Sequence, residues 1–295
     1  LDKGLILLHR DFNKSAVESI LKNKIKRVGI HLNIFQGTVS EFVEYINTNR
    51  ALIDLLENEG VRVDYHLHAV GSFLPEITAR NQELFRMNES GKRVNDYNLC
   101  PSSQEGLKMV ETGAEKLARA LKQKGRSYYF WTDDDMGGSV KCHCKRCEGL
   151  SFTQQNAIIY EAILKGIRRY DPNARLSYLI YGEEDNCENL PEGTFALFAP
   201  FKRRHDLPIT AKENSFYKDA FLKLIEEHGS QNVEVLEYFL SYNYLGFCAD
   251  NSRVKQDLKF YSGYKPKLIT TFTVFPCENY LSEGDDRGIT NYFLL

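Results

Sequence analysis

Short apolar runs and amphipathic stretches take turns along this chain. Leu5 to His9 (LILLH) predicts a buried strand, and a short helix follows that Asn13 or Ser15 can cap and that carries Val17, Ile20 and Leu21 at helical spacing. Arg27 to Asn33 predicts a second strand. Thr38 with Glu41 forms a T-x-x-E capping pattern, and Phe42, Ile46, Ile53 and Leu56 mark one face of a long helix that Gly60 ends. Val61 to Val70 alternates as strand three. Ser102 and Glu105 open a further helix with Leu107, Val110, Ala114, Leu117 and Leu121 on its inner face. It leads to Tyr128, Tyr129, Phe130 and Trp131, an aromatic run that suits a buried strand four. Ser151 and Gln154 cap a helix through Ile159, Ile163 and Ile167, which Asp171-Pro172 stops. The remaining strands are Leu176 to Tyr181, Phe195 to Phe201, Val233 to Phe239 and Leu268 to Phe275, with helices near Phe216 to Ile225 and Val254 to Tyr261.

Eight strands mostly separated by helices, with no internal repeat and no low-complexity linker, predict parallel packing in an α/β fold. A closed (β/α)8 TIM barrel over 1–295, as a single domain, is the simplest count, and 295 residues suit it because such barrels run to about 250 residues. An open doubly wound sheet usually carries a Gly-rich turn after its first strand, where this chain has His9-Arg10-Asp11. Two insertions stand out: a long irregular excursion from Gly71 to Pro101 after strand three, and a cysteine loop after strand four. Loops of that length usually carry function.

Charge narrows the partners. With 38 basic and 40 acidic residues interspersed, the net charge of -2 gives no footprint for nucleic acid or for an anionic membrane surface. No apolar run reaches the roughly 18 residues of a membrane span. Beginning at Leu1 without Met, the chain reads as a piece excised from a longer protein, with further domains as partners. Many of the 17 tyrosines fall near strand ends, which fits either a sugar-binding rim or a tyrosine-rich core.

In a barrel the C-terminal strand ends form the mouth, so they supply the candidate chemistry. They are His9 and Arg10 on strand one, His31 and Asn33 on two, His66 and His68 on three, and Asp133 to Asp135 on four. Tyr181, Glu183 and Glu184 follow on five, Lys202 to His205 on six, and Glu237 and Tyr238 on seven. Glycoside cleavage needs two carboxyl groups, one protonated and one ionised. Asp133 or Asp134 facing Glu237 across the mouth meets that need, since alternation with Val233 and Val235 points Glu237 inward. Trp131, Tyr181 and Tyr238 offer flat surfaces for a sugar ring, and His9, Arg10, His31, His66 and His68 offer hydrogen bonds. The expectation is a carbohydrate-active hydrolase; a carbohydrate-binding barrel without turnover is the alternative. A metal-dependent hydrolase using His66 and His68 is a third reading, because H-x-H places two imidazoles on one strand face.

Cys142, Cys144 and Cys147 form C-x-C-x-x-C just beyond Gly137 and Gly138. Zinc usually takes four ligands in a closed structural site, so Cys100 at the end of the excursion is the natural fourth, with His143 as the alternative. Cys187, Cys248 and Cys277 are scattered and read as ordinary thiols.

Several segments together resemble a known family. HLHAVGSFLP (His66 to Pro75), LFRMNESGKRVNDYNLCPSS (Leu84 to Ser103), YYFWTDDD, the stretch Cys142 to Ser151, LSYLIY and VLEYF are similar to DUF4838, a bacterial family of unknown function related to glycoside-hydrolase TIM barrels. The resemblance implies the barrel, a carbohydrate partner, and a periplasmic or cell-surface setting within a larger polysaccharide-associated protein. Relatives that it looks like, the α-glucuronidases and β-hexosaminidases, place an acid at the end of strand four. Where an acid is expected before the Ala-Pro of strand six, this chain has Leu197-Phe198-Ala199-Pro200.

Overall fold

The computed structural model describes residues 2–32, 37–74, 82–94, 99–134, 141–182, 190–241, 251–274 and 287–295. Asn33, Asp135, Gly137, Gly138, Glu183, Glu184, Phe275, Cys187, Cys248 and Cys277 lie outside the described residues. Eight parallel strands close into one barrel in the order of the sequence: β1 Lys3–Leu8, β2 Arg27–His31, β3 Arg62–His68, β4 Ser127–Trp131, β5 Arg175–Ile180, β6 Thr194–Phe198, β7 Val233–Ser241 and β8 Leu268–Val274. Pairing of β1 with β8 closes the ring, Leu5 lying opposite Thr271. The expected TIM barrel is therefore the observed fold.

The helices begin where the capping residues stand. Asn13 accepts from the Ala16 amide to open α1 (Lys14–Lys22). Thr38 and Glu41 complete a reciprocal capping box on α2 (Val39–Thr48). The long helix read from Phe42 to Leu56 is broken at Asn49, whose side chain donates to the Tyr45 carbonyl, and it continues as α3 (Arg50–Asn58). A one-turn helix, α4 (Val70–Phe73), opens the excursion after β3. Ser103, one residue beyond the Ser102 that the pattern suggested, caps α5 (Gln104–Leu121). The Ser151–Gln154 box caps α6 (Phe152–Arg168) as expected. α7 (Ser215–His228), α8 (Asn251–Tyr264) and α9 (Arg287–Leu294) are the remaining α-helices among the described residues. Gly166 brings α6 hard against α5, since a Cβ there would lie 2.1 Å from the Glu111 carbonyl oxygen.

The barrel encloses two cores. Between strands and helices lies the aliphatic layer, with Leu5, Leu7, Ile163, Ile167 and Val235 at or near zero exposure. Inside the barrel, the floor is an ionic network in which Arg27 pairs with Asp64 (3.0 Å), and the Tyr129 hydroxyl bridges Arg27 to Glu234. His66 stacks on Tyr129 above that floor, centroids 4.1 Å apart. Trp131 lies a layer higher, its indole donating to Ser177 Oγ at 3.2 Å.

Candidate functional site

β3 and β4 run in register to their ends, His68 beside Trp131, and this pairing builds the site. The ladder continues one step, the Ala69 amide donating to the Trp131 carbonyl, and then the two acids after Trp131 part. Asp133 turns back to the first turn of α4, where the Gly71 amide donates to Oδ2 at 2.5 Å. Glycine leaves room for this approach, because a Cβ on Gly71 would sit 2.7 Å from the same oxygen and push the carboxyl aside. Burial raises the Asp133 carboxyl to about 6, against the pull of His68 and the amides. Asp134 turns the other way. Its Oδ1 accepts from the Tyr181 hydroxyl at 2.7 Å, and its Oδ2 lies 3.1 Å from His68 Nε2 with the side chain 37% exposed. Desolvation, then the Asp134 carboxylate, pushes the Tyr181 phenol well above its ordinary value, so Tyr181 stays a donor.

Aromatic rings continue around the mouth. His31 meets Phe272 (5.0 Å between centroids), Trp131 (5.8 Å) and His68 (6.2 Å). Burial, with His68 and His9 nearby, lowers its pKa to about 3, so His31 presents a neutral imidazole. Tyr238 stacks on Phe272 at 6.2 Å with the planes 8° apart. Phe201 stands edge-on to Tyr238 at 5.3 Å and to Tyr181 at 6.5 Å. It is 39% exposed, the most open of these rings. Sequence reasoning placed Phe201 at the end of a strand and gave it no role; an aromatic directly after Ala199-Pro200, where a strand tends to end, was the available signal.

Other expected sugar ligands are placed elsewhere. Trp131 is 2% exposed and belongs to the barrel interior, so it offers no open face. His66 is buried on Tyr129, and desolvation lowers its pKa far below the usual value. His9 packs edge-on to Phe42 and Tyr45, in the layer beneath α2, while Arg10 is exposed in the turn after β1. The structure does not join His66 and His68 into a metal site: among the described residues, only the four cysteines form a metal-binding cluster of His, Cys, Asp or Glu.

Glu237 corrects the sequence reading most sharply. It points inward, but into the strand–helix layer and not into the barrel. Glu234, an odd number of positions earlier on the same strand, meets Tyr129 in the barrel interior, and alternation turns Glu237 to the opposite face. There it is 0% exposed, taking Nε and Nη2 of Arg203 at 3.2 and 3.0 Å and the Tyr261 hydroxyl at 2.6 Å. Arg203 also reaches Asp257 Oδ2 at 2.8 Å, and Asp257 is pushed up to about 6, first by burial and then by Glu237. Glu237 is thus not brought to Asp133 or Asp134. His205, read as a mouth residue, is buried beside Tyr238 with Nε2 2.8 Å from the Phe201 carbonyl.

Cys100, Cys142, Cys144 and Cys147 are all buried, their sulfurs all within 4.8 Å of one another. Cys100 Sγ lies 3.6, 3.7 and 3.8 Å from those of Cys142, Cys144 and Cys147. A tetrahedral ion at about 2.3 Å from each sulfur needs sulfur–sulfur separations of about 3.8 Å, so the set suits a metal ion. His143, the alternative ligand, instead faces Glu89 at 3.9 Å. Backbone links support the cluster: the Cys100 amide donates to the Leu84 carbonyl within the excursion, and the His143 amide donates to the Met87 carbonyl, joining the excursion to the β4 loop.

No protein-family model matches the sequence, and no curated protein matches it in sequence. Solved structures match its shape. XEG5A, a GH5 xyloglucan-specific endo-beta-1,4-glucanase from a metagenomic library, superposes with a TM-score of 0.63 at 8% identity, over 96% of this chain and 87% of that one. The catalytic domain of a beta-amylase from Paenibacillus polymyxa gives 0.58 at 10% identity, over 99% and 97%. The PgaB (BpsB) glycoside hydrolase domain from Bordetella bronchiseptica gives 0.57 at 9% identity, over 99% and 98%. At such identities the likeness is one of fold: a barrel of the kind that these glycoside hydrolases use.

Proposed function

We propose that this barrel is a carbohydrate-active hydrolase whose acid is Asp134. One observation carries the reading: a partly exposed carboxyl stands at the C-terminal mouth, held from two sides by His68 and Tyr181, with Phe201, Tyr238 and His31 around the opening. A carboxyl held this way can meet a leaving glycosidic oxygen in fixed geometry, which is what general acid catalysis requires. Asp133 takes the positioning role, since its carboxyl ties the β4 end to α4. The solved neighbours and the resemblance to DUF4838 support a sugar substrate. The test is hydrolysis of uronic-acid and hexosamine glycosides and their polysaccharides by the purified protein, with Asp134→Asn expected to lose about 10²- to 10⁴-fold in kcat. Full activity in that variant would remove the assignment.

A binding barrel without turnover is the second reading, favoured by the placement of Glu237 in the strand–helix layer. Glycan binding that survives Asp134→Asn, with no substrate turned over, would establish it.

The four cysteines hold a structural zinc ion in this proposal. Cys100, Cys142, Cys144 and Cys147 would saturate a tetrahedral ion, and its role would be to clamp the excursion to the β4 loop. Elemental analysis of protein purified without chelator should find about one equivalent of zinc, and Cys142→Ser should lower it to about a tenth or less.

A further inference from the structure

Proton counting at the mouth constrains His68 further than its distances alone. The Thr132 carbonyl lies 2.6 Å from His68 Nδ1 and has no proton to give, so Nδ1 carries one. That leaves Nε2 facing Asp134 Oδ2 at 3.1 Å. Two lone pairs at that distance repel, so one proton lies between them, on Nε2 or on Oδ2. The other Asp134 oxygen is already taken by the Tyr181 hydroxyl, which donates. Among the described residues, the other titratable groups beside the imidazole are Asp133 on the β4 side and His31 on the β2 side.

We propose that His68 and Asp134 share a single proton and act as one acid, with His68 as the proton-positioning partner instead of a sugar ligand. The chemistry rests on the hydrolase reading above; the geometry does not. As the glycosidic C–O bond breaks and its electron pair passes to the leaving oxygen, the dyad gives that oxygen its proton and becomes neutral His68 beside ionised Asp134. The water whose oxygen joins the anomeric carbon returns a proton to the dyad, so the hydrolysis balances. Thr132 keeps the Nδ1 proton out of the exchange, and the transferable proton stays on the side facing the mouth.

Imidazole nitrogen NMR of the labelled full chain, from about pH 5 to about pH 9, tests the dyad without a substrate. Asp134→Asn is the informative variant, because its carboxamide can still accept from Tyr181 and donate to Nε2 while supplying no charge. Nδ1 of His68 should stay protonated throughout, and the Nε2 midpoint should fall by at least about one pH unit in the variant. A midpoint moved by less than about 0.3 unit, or an unprotonated Nδ1, overturns the proposal. If the shift is seen but no glycoside is hydrolysed, the dyad stands and the hydrolase reading fails. If hydrolysis is found, His68→Gln should lower kcat at least about tenfold and move the alkaline limb of the rate profile to lower pH. A change confined to KM would make His68 a sugar ligand and overturn the pairing.

Discussion

Strands four and seven each carry a carboxylate that the hydrophobic pattern treats alike, and the fold sends them to opposite fates. Asp134 stands just past the end of its strand, 37% exposed, held by a phenol and an imidazole. Neither partner carries a permanent charge. Glu237 lies within its strand, fully buried, against a guanidinium that is also fully buried. An arginine does not give up its proton, so Glu237 faces a permanent positive charge and its role is cohesion. A barrel has two interiors, and burial alone does not tell them apart: only the parity of a residue relative to a neighbour of known direction does.

The hardest test of this contrast is Glu237→Gln. Removing one partner of a buried pair leaves Arg203 with Asp257 alone, and the variant should lose about 3 to 5 kcal/mol of stability. Asp134→Asn should lose less than about 1 kcal/mol, because both of its contacts have amide equivalents. Chemical denaturation of the two variants reads both effects. Equal losses would break the distinction between a structural acid and the proposed working one.

The two sides can also be separated by pH. Asp133 at the mouth and Asp257 in the ion cluster are both raised to about 6, mainly by burial. For a carboxyl whose folded pKa exceeds the unfolded one, the native state binds the proton more tightly, so stability falls as pH rises from about 4 to about 6 and is level above that. Asp133→Asn retains an acceptor for the Gly71 amide and cannot ionise; its stability should therefore fall less over that range than the parent's. Asp257→Asn removes the same slope but weakens the hold on Arg203, so its loss should persist at pH 7. Denaturation midpoints at four pH values suffice, and parallel curves for parent and Asp133→Asn would refute the assignment.

Much of this molecule could be read from the chain. Capping boxes at Thr38 and Ser151 marked helix starts, and strand-length apolar runs marked all eight strands, because these signals are local. The four cysteines were also legible, since C-x-C-x-x-C leaves few ways to place three sulfurs. The direction of Glu237 was not. Its partners Arg203 and Tyr261, and the Asp257 that shares Arg203, come from the segment after β6 and from α8, far apart in sequence, and nothing local announces them. Trp131 failed for a related reason: a large aromatic at a strand end suggests a platform, but the Ser177 hydroxyl one strand away gives its indole a buried partner.

Phe201 turns that error into the finest test. Both it and Trp131 are aromatic residues at strand ends, but Phe201 is 39% exposed where Trp131 is 2%. A ring with this much exposed surface, edge-on to Tyr238 and Tyr181 among the described residues, suits stacking on a planar or sugar ring. If the barrel binds a glycan as proposed, Phe201→Ala should weaken that binding by about threefold to tenfold, equivalent to about 0.6 to 1.4 kcal/mol, while changing stability by less than about 1 kcal/mol. Trp131→Ala should instead destabilise the fold before any binding effect can be measured. Calorimetric titration of parent and Phe201 variant with a glycan found to bind the parent decides the matter: unchanged affinity would move the proposed sugar-contacting surface away from the β6 side of the mouth.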